Sequence, residues 1–317
     1  MFACRRRPVD FRIWLLLGFF LALPLPLSAG ELPPFDTGGV WVESPPDRQV
    51  IDRGLVGAWD HYAVDNPFVL VEGGMYYCFF EAQDKPFGQG GHERMGLATS
   101  RDGITWEKWS KNPILDVGAP GAWDSVVAKL PTVTKHEDRY YLFYSGRDGK
   151  TKQIGIATSN DLKTWKKHPA NPILQSRPGE WDALLSTHPS PVFERDGSFY
   201  LLFRGMNQER LRQGLNVAVS TDMVHWKRLH DEPVIPTVEE TGSIAVADLG
   251  ERYIGLSQAP GRPYWESSDL LTWKKSAAAA FTAKKVDTVS NPFVSDGRWT
   301  IVYEQQDRIY RAVLQSR

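Results

Sequence analysis

The sequence predicts an all-β fold, namely a five-bladed β-propeller with four short antiparallel strands in each blade. Three observations support this prediction. The motif Ser-x-Asp-x-x-x-Trp recurs four times, at intervals of about fifty to sixty residues. The 317 residues include 27 Gly and 22 Pro, which indicates many turns. Between these turns lie short runs rich in aromatic and β-branched residues, which are typical of strands.

Each repeat has the same order of elements. A Trp-Asp pair leads into each of the first three repeats, and a proline, an apolar strand, a turn and an aromatic strand follow it. A third strand-like run such as Met95–Thr99 precedes each Ser-x-Asp turn, and a similar exit such as Asn112–Leu115 follows three of the turns. The fifth repeat lacks the turn, so we expect Val40–Val42 to supply its outer strand and close the ring.

The four repeated aspartates are interpreted as structural, because an Asp side chain accepts backbone N–H groups within its own turn. The tryptophan of each motif is expected to cover the edge of its blade. The aspartates concerned are Asp102, Asp161, Asp222 and Asp269.

The first thirty residues resemble a secretory signal peptide. Arginines 5–7 precede an apolar run over residues 13–27, and small residues 28–30 offer a cleavage site. A membrane anchor is the alternative, but the run is shorter than the ~20 residues that a span needs, and two prolines interrupt it. We therefore expect residues 31–317 to form a single propeller domain that is secreted or periplasmic, with no stable membrane anchor.

Composition excludes several classes of function. With 37 basic and 38 acidic residues, the formal charge of −1 offers no electrostatic reason to expect a nucleic-acid partner. Two cysteines cannot form a disulfide scaffold or a cysteine-rich zinc module, and the histidines show no metal-ligand spacing. No cofactor and no metal are expected, and the oligomeric state is left open.

The geometry of a propeller predicts which polar residues lie together. Residues just before strand one and at the end of strand two of every blade share one face, so they are expected to meet around the axis. Residues before strand one are Asp65, Asn66, Lys129 and His188, and those ending strand two include Glu81, Arg204 and Glu304. Carboxylates placed close together push their pKa values apart, as general acid–base catalysis requires.

Three further residues are expected to bind substrate at the mouth of this pocket. Trp59 and Trp123 lie in the segments leading into strand one and suit stacking on sugar faces. His92 ends the glycine-rich loop 87–92, which is long for a hairpin and suits a rim. Asn66, Lys129 and Arg204 are expected to bind substrate with them, whereas Asp65, His188, Glu81 and Glu304 are the catalytic candidates.

The repeated Ala-Thr-Ser-x-Asp segments, the Asn-Pro-Ile-Leu exits, the Trp-Asp pairs and the Val-Asp-Asn-Pro-Phe-Val segment around Asp65 form one pattern. This pattern resembles the five-bladed propeller glycoside hydrolases of families 43, 32, 68, 117 and 130. The resemblance implies that Asp65 is the base or nucleophile. The second-blade Asp of those families is missing at Lys129–Thr132, and His188 stands near the place of the third-blade Glu. The resemblance therefore leaves His188, Glu81 and Glu304 as candidates for the acid.

The leading hypothesis is an exported glycoside hydrolase that cleaves an oligosaccharide or polysaccharide chain end. A propeller that binds carbohydrate without cleaving it is the alternative, because two of the three signature carboxylates are missing. A sialidase is a third hypothesis, since the Ser-x-Asp turn is similar to the Asp box, but sialidases have six blades. A protein-interaction propeller is the fourth.

Overall fold

The computed structural model describes residues 32–86, 89–209, 213–236, 243–258 and 261–316, so the expected leader lies outside the described chain. Within these ranges the chain forms 23 β-strands and no α-helix, which confirms the all-β prediction. Accordingly, the described residues include no helix of the length and apolarity that a membrane span needs.

Most strands pair in antiparallel fashion with their neighbours in sequence, and we divide them into five consecutive groups. The chain begins with β1 (Val40–Glu43). Group one contains β2 (Ala63–Glu72), β3 (Met75–Gln83), β4 (Glu93–Ser100) and β5 (Glu107–Lys108). Group two contains β6 (Val127–His136), β7 (Arg139–Arg147), β8 (Lys152–Ser159) and β9 (Lys166–Lys167).

Group three has a first strand in two pieces, because prolines interrupt it. Its strands are β10 (Leu185–Thr187), β11 (Phe193–Arg195), β12 (Ser198–Met206), β13 (Gln213–Ser220), β14 (Lys227–Arg228) and β15 (Ile235–Pro236). Group four contains β16 (Ile244–Asp248), β17 (Tyr253–Ser257), β18 (Pro263–Ser267) and β19 (Lys274–Ala278). Group five contains β20 (Ala280–Phe281), β21 (Phe293–Ser295), β22 (Arg298–Gln305) and β23 (Arg308–Gln315).

Parallel pairing joins the first three groups into one continuous sheet. β4 pairs with β6 at Glu93 and Val127, and β8 pairs with β10 at Lys152 and Leu185. The third strand of one group is thus bonded to the first strand of the next. This pairing brings the beginning of each of these third strands next to the beginning of the following first strand.

The last group contacts the first. The Asn291 side chain accepts a hydrogen bond from the Val69 backbone N–H and donates one to its carbonyl, both at 3.0 Å. β1 pairs antiparallel with β23, which confirms the expectation that Val40–Val42 adds an outer strand to the last group. From β1, the Trp41 indole donates to the Tyr264 hydroxyl of group four at 2.7 Å.

The Ser-x-Asp turns have the structural role that the sequence predicts. In group two, the Asp161 carboxylate accepts the backbone N–H groups of Lys163 at 2.9 Å and Thr164 at 2.7 Å. Trp165 then packs over the turn and donates to the Leu162 carbonyl at 3.1 Å. The same two backbone bonds form at the other three aspartates of the repeat.

The aspartate of each Trp-Asp pair is buried and bound to a basic residue of the outer strand in its own group. The distances are 2.6 Å for Asp60–Lys108, 2.6 Å for Asp124–Lys167 and 2.7 Å for Asp182–Arg228. These ion pairs fasten the segment leading into a group to the outer edge of that group. Their repetition in three groups indicates a structural role.

Candidate functional site

A backbone irregularity is repeated where the first strands of groups one to three begin. Asn66, Leu130 and His188, each followed by a proline, have left-handed φ angles of 45°, 58° and 51°. In β2 the register shifts between Asp65 and Phe68, and β6 shifts at the matching place. Such bulges re-aim side chains and recur beside active sites. Asp65, Asn66 and Lys129 were predicted to precede strand one, but the structure places them within β2 and β6, because these strands begin two or three residues earlier and continue through the bulge.

Asp65, Asn66 and Glu81 form a carboxylate centre in group one. The Asn66 amide donates to Asp65 Oδ1 at 3.2 Å and to Glu81 Oε2 at 3.0 Å. Glu81 is fully buried, whereas Asp65 and Asn66 are partly exposed. Asp65 and Asn66 thus retain some contact with solvent, whereas Glu81 is enclosed by the protein.

Lys129 extends this centre into group two. Its ammonium group lies 3.3 Å from Glu81 and 2.8 Å from Glu93. Glu93 was missed by the sequence analysis, which considered residues before strand one and at the end of strand two. It begins the third strand of group one, and the pairing of β4 with β6 brings it to Lys129. The feature of the sequence that could have identified Glu93 is its position directly before Arg94, in a strand-like run.

Asp65 and Glu81 interact electrostatically, and the pKa of each is raised. Burial, followed by the negative charge of Glu81, raises the pKa of Asp65 well above its ordinary value, and Lys129 offsets this only in part. Burial also raises the pKa of Glu81, but Lys129 contacts Glu81 directly and opposes the rise. Asp65 is therefore the carboxyl of the pair that its surroundings drive more strongly toward the protonated form.

Lys129 keeps its charge. Burial lowers its pKa, but the carboxylates of Glu81, Glu93 and Asp65 outweigh burial and leave the pKa above the ordinary lysine value. Lys129 is thus a fixed cation that holds two buried carboxylates in place.

Glu304 ends the second strand of group five and is mostly buried. Burial raises the pKa of Glu304 to about 7, and the negative charges of Asp287 and Asp307 contribute to the rise. The Asp307 N–H donates to the Glu304 carboxylate at 2.9 Å, and this bond lowers the pKa in part. The charge of Glu304 also acts on Asp65, which places the two groups in one electrostatic site. A carboxyl that titrates near neutral pH can both accept and release a proton in catalysis.

A basic wall, defined as Lys129, Lys152, His188 and Arg204, comes from groups two and three. Burial and the neighbouring Lys129 lower the pKa of Lys152, another residue that the sequence analysis missed, to about 8. His188 Nδ1 and Arg204 Nε are enclosed, and neither has a hydrogen-bond partner among the described residues. Arg204 also donates to Gln213 at 3.1 Å.

His188 is a neutral imidazole. Burial, followed by the positive charges of Arg204, Lys152 and Lys129, holds the pKa of His188 well below its ordinary value. Its backbone N–H donates to the Ser145 hydroxyl at 3.1 Å, which fixes the residue in its strained conformation. A neutral ring carries no imidazolium proton, so this environment argues against the expected role of His188 as the general acid.

A cavity of about 60 Å³ connects the groups beneath these residues. Residues from all five groups line it, in order Asn66, Leu130, His188, Ile244 and Val289 with their neighbours. Its volume corresponds to about two water molecules. Segments of all five groups therefore contribute to one common cavity.

Trp59 and Trp123 pack against strands of their own groups. The Trp59 ring stacks on Phe80 with centroids 6.1 Å apart, and the Trp123 ring lies 5.5 Å from Tyr144. A Cβ atom on Gly155 would lie 2.6 Å from the Trp123 ring, so this close approach requires glycine. Both rings thus have a packing function, and their contact with sugar stays a prediction.

His92 lies in a polar network at the end of the rim loop, of which residues 87 and 88 are outside the described chain. Its backbone N–H donates to Asp84 at 3.0 Å, and its ring lies 3.3 Å from the Arg94 guanidinium. The side chain is 39% exposed, so it is accessible to a ligand. In the part of the chain that the structure describes, no three acidic, His or Cys side chains are grouped as metal ligands.

Comparison with known proteins identifies the family. A family model described as beta-1,4-mannooligosaccharide phosphorylase, of glycoside hydrolase family 130, matches residues 62–238. A Beta-1,2-mannobiose phosphorylase from Thermoanaerobacter sp. (strain X514) is 30% identical over 157 residues, which are 46% of this chain and 48% of that protein. The match thus spans about half the length of this curated relative.

Solved structures share the fold. One, from work on mannoside phosphorylases of family 130 and glycoside hydrolases that target beta-1,2 mannosidic linkages in Candida mannan, has a TM-score of 0.67. It is 17% identical, and the match covers 89% of this chain and 96% of that one.

A family 117 glycoside hydrolase from Zobellia galactanivorans, Zg3597, has a TM-score of 0.65 at 14% identity, over 88% and 91% of the two chains. The predicted resemblance to this group of glycoside hydrolases is therefore confirmed. Since the family model matches more than half of the chain, this protein belongs to glycoside hydrolase family 130, a family of carbohydrate-active enzymes.

Proposed function

We propose that the five strand groups are the blades of a five-bladed propeller formed by residues 31–317. The proposal is supported by the common cavity that all five groups line and by the hydrogen bonds between Asn291 of group five and Val69 of group one. In this arrangement the carboxylate centre, Glu304 and the basic wall share one end of the axis. The predicted pocket then lies where the first strands begin.

We propose that this site cleaves a β-mannosidic bond by hydrolysis. The observation that carries the proposal is the presence of two carboxyls with raised pKa values, the partly exposed Asp65 and the buried Glu304, in one electrostatic site. General acid–base cleavage needs such a pair. Mannoside chemistry is suggested by the family description and by the mannobiose phosphorylase relative.

The raised pKa of Asp65 and the pKa of about 7 of Glu304 suggest which of these carboxyls is the acid and which is the base. Asp65, whose pKa lies well above its ordinary value, donates a proton to the leaving glycosidic oxygen as the bond from that oxygen to the anomeric carbon breaks. Ionised Glu304 accepts a proton from the water molecule whose oxygen bonds to the anomeric carbon. This assignment makes Asp65 the acid, whereas the resemblance implied that it is the base or nucleophile. Glu81 is a positioning residue that keeps the proton on Asp65.

The test uses purified residues 31–317 with β-1,2- and β-1,4-linked mannobiose and longer mannosides. We expect wild type to release mannose and both Asp65→Asn and Glu304→Gln to lose about 100-fold or more in kcat/KM, because proton transfer contributes about that factor. Glu266→Gln, which alters an exposed ion pair with Arg252, is the matched control. Saccharide binding without turnover by wild type would instead favour the non-catalytic carbohydrate-binding alternative.

A second candidate function is phosphorolysis, in which inorganic phosphate replaces water as the acceptor. The basic wall favours it, because His188 and Arg204 hold enclosed polar atoms without a protein partner beside Lys152. A doubly charged oxyanion would satisfy such donors. Mannose 1-phosphate formed only when phosphate is added would identify this reaction. Arg204→Met should then abolish the phosphate dependence, whereas Arg195→Met, on an exposed ion pair of group three, should preserve it.

We also propose that the chain is exported and cleaved near residue 30. The support is the basic, apolar and small-residue pattern of residues 1–30. Expression of the full chain in a bacterial host, followed by fractionation and N-terminal sequencing, tests this proposal. Recovery of full-length protein from the cytoplasm would contradict it.

A further inference from the structure

Arg262 occupies a position that neither the sequence analysis nor the proposed mechanism uses. It directly precedes β18 of group four and reaches group five, where its guanidinium donates to the Asp287 carbonyl at 3.3 Å. The backbone N–H groups of Asp287 and Glu304 in turn bond to carbonyls of the facing segment, which fixes these residues beside one another. From the next residue, Thr288, a hydroxyl accepts the Asn66 N–H at 3.2 Å. Two consecutive residues, Asp287 and Thr288, thus connect Arg262 to Asn66 of the carboxylate centre.

Three restraints hold this side chain in place. The backbone of Arg262 is left-handed, with a φ of 41°, and follows Gly261, whose φ is 78°. The guanidinium lies over the Phe281 ring, 5.8 Å from its centroid. With the Asp287 bond, these contacts orient the planar group before any ligand arrives. A non-glycine residue in this strained region beside a site is a recognised sign of a functional constraint.

One nitrogen of the Arg262 guanidinium makes no hydrogen bond within the described part of the chain. The NH1 nitrogen is enclosed and has no hydrogen-bond partner among the residues that the structure describes. A buried donor without a partner is costly, so a ligand that supplies an acceptor gains from binding there. The charges of Asp287 and Glu304 act on Arg262 at this place.

The carboxylates of Asp287 and Glu304 determine which class of ligand can bind to Arg262. Two carboxylates beside Arg262 would repel an anion, whereas a neutral hydroxyl can accept from the arginine and donate to a carboxylate. We propose that Arg262 is a specificity-determining residue that donates from NH1 to one hydroxyl of the sugar bound beside Glu304. The proposal rests on the proposed function, because it assigns a contact to the same site. A site built to bind a hydroxyl strongly rejects the analogue that lacks it.

The experiment compares wild type, Arg262→Met and Arg252→Met. Arg252 belongs to the same strand group and forms an exposed ion pair with Glu266 at 2.7 Å, so its variant is the matched control. We expect Arg262→Met to lose about ten- to hundredfold in kcat/KM, the range for a hydrogen bond to a charged donor. Arg252→Met should stay within about twofold of wild type.

A series of mannosides that each lack one hydroxyl identifies the contact. In wild type, removal of one particular hydroxyl should cost about the same factor as Arg262→Met, and in the variant it should cost nothing further. Losses that multiply for every analogue, or an Arg262→Met enzyme within about twofold of wild type, would overturn the proposal.

The proposed function and the role of Arg262 fail in different ways. If wild type cleaves no mannoside, the proposed function fails, and the three proteins are then compared by calorimetric titration with the same saccharides. Binding that Arg252→Met retains and Arg262→Met loses would support the contact. Equal binding by both variants, or no binding by wild type, would refute it.

Discussion

Replacing Lys129 by methionine tests whether one buried cation holds the site together. Methionine keeps the length of the side chain and removes its charge. The lysine ammonium lies 2.8 Å from Glu93 and 3.3 Å from Glu81, which are 6% and 0% exposed. The variant therefore leaves two neighbouring carboxyls buried without their counter-charge.

The expected loss of unfolding free energy is about 3–5 kcal/mol at neutral pH, the usual cost of removing one partner of a buried ion pair. The loss depends on pH because of Glu81, whose pKa is raised in the folded protein. The folded state then binds the proton more tightly than the unfolded chain, so stability falls as pH rises from the ordinary glutamate pKa, about 4.3, through the raised value. Without Lys129 this fall is larger, and the variant should be less impaired at pH 5 than at pH 7.5.

Urea unfolding followed by tryptophan fluorescence at both pH values measures this difference. Lys135→Met is the matched control, because Lys135 lies on the same strand and contacts Glu72 at 2.6 Å with side chains that are 40% and 30% exposed. Exposed ion pairs contribute little, so this control should remain close to wild type. Equal losses in the two variants, or a Lys129→Met loss that is the same at both pH values, would refute the reasoning.

Three further predictions concern Glu304, Lys167 and Gly155. If ionised Glu304 is the base, kcat/KM should fall about tenfold per pH unit below its pKa of about 7, and Glu304→Gln should remove this limb from a pH–rate profile. Lys167→Met should lower the unfolding free energy by about 1–3 kcal/mol, because it leaves the buried Asp124 without the cation 2.6 Å away; denaturant titration beside Lys163→Met checks this. Gly155→Ala should cost about 1–3 kcal/mol, since its Cβ would lie 2.6 Å from the Trp123 ring; a thermal melt beside Gly38→Ala, whose Cβ would meet only the Asp36 side-chain oxygen at 3.2 Å, would show no such difference if the packing argument is wrong.

The repeat could be predicted from sequence because its interactions are local. Asp161 binds the backbone of residues two and three positions further on, and Ser159 donates to it at 2.9 Å from two positions before. Seven residues therefore suffice to form the turn, and a motif of that length is visible in the sequence. The outer strand at Val40–Val42 was predicted for a related reason, since the fifth repeat is one strand short.

The positions of the site residues were partly predictable. Asp65, Glu81 and Lys129 were expected to meet because strand order and alternation place them at one end, and Asn66 joins two of them as a hydrogen-bond donor. Glu93 was not expected, because its approach to Lys129 depends on the pairing of β4 with β6, which joins two separate groups. No local pattern encodes that pairing.

The sequence by itself determined the repeated turns and the residues near the start of each first strand. Tertiary structure alone decided the surroundings of the site residues: how strongly burial and charge raise the pKa of Asp65, why His188 is neutral, and where Arg262 reaches. The physical reason is the range of the interactions. Turn hydrogen bonds join residues a few positions apart, whereas burial and charge depend on side chains that folding brings together from distant strands.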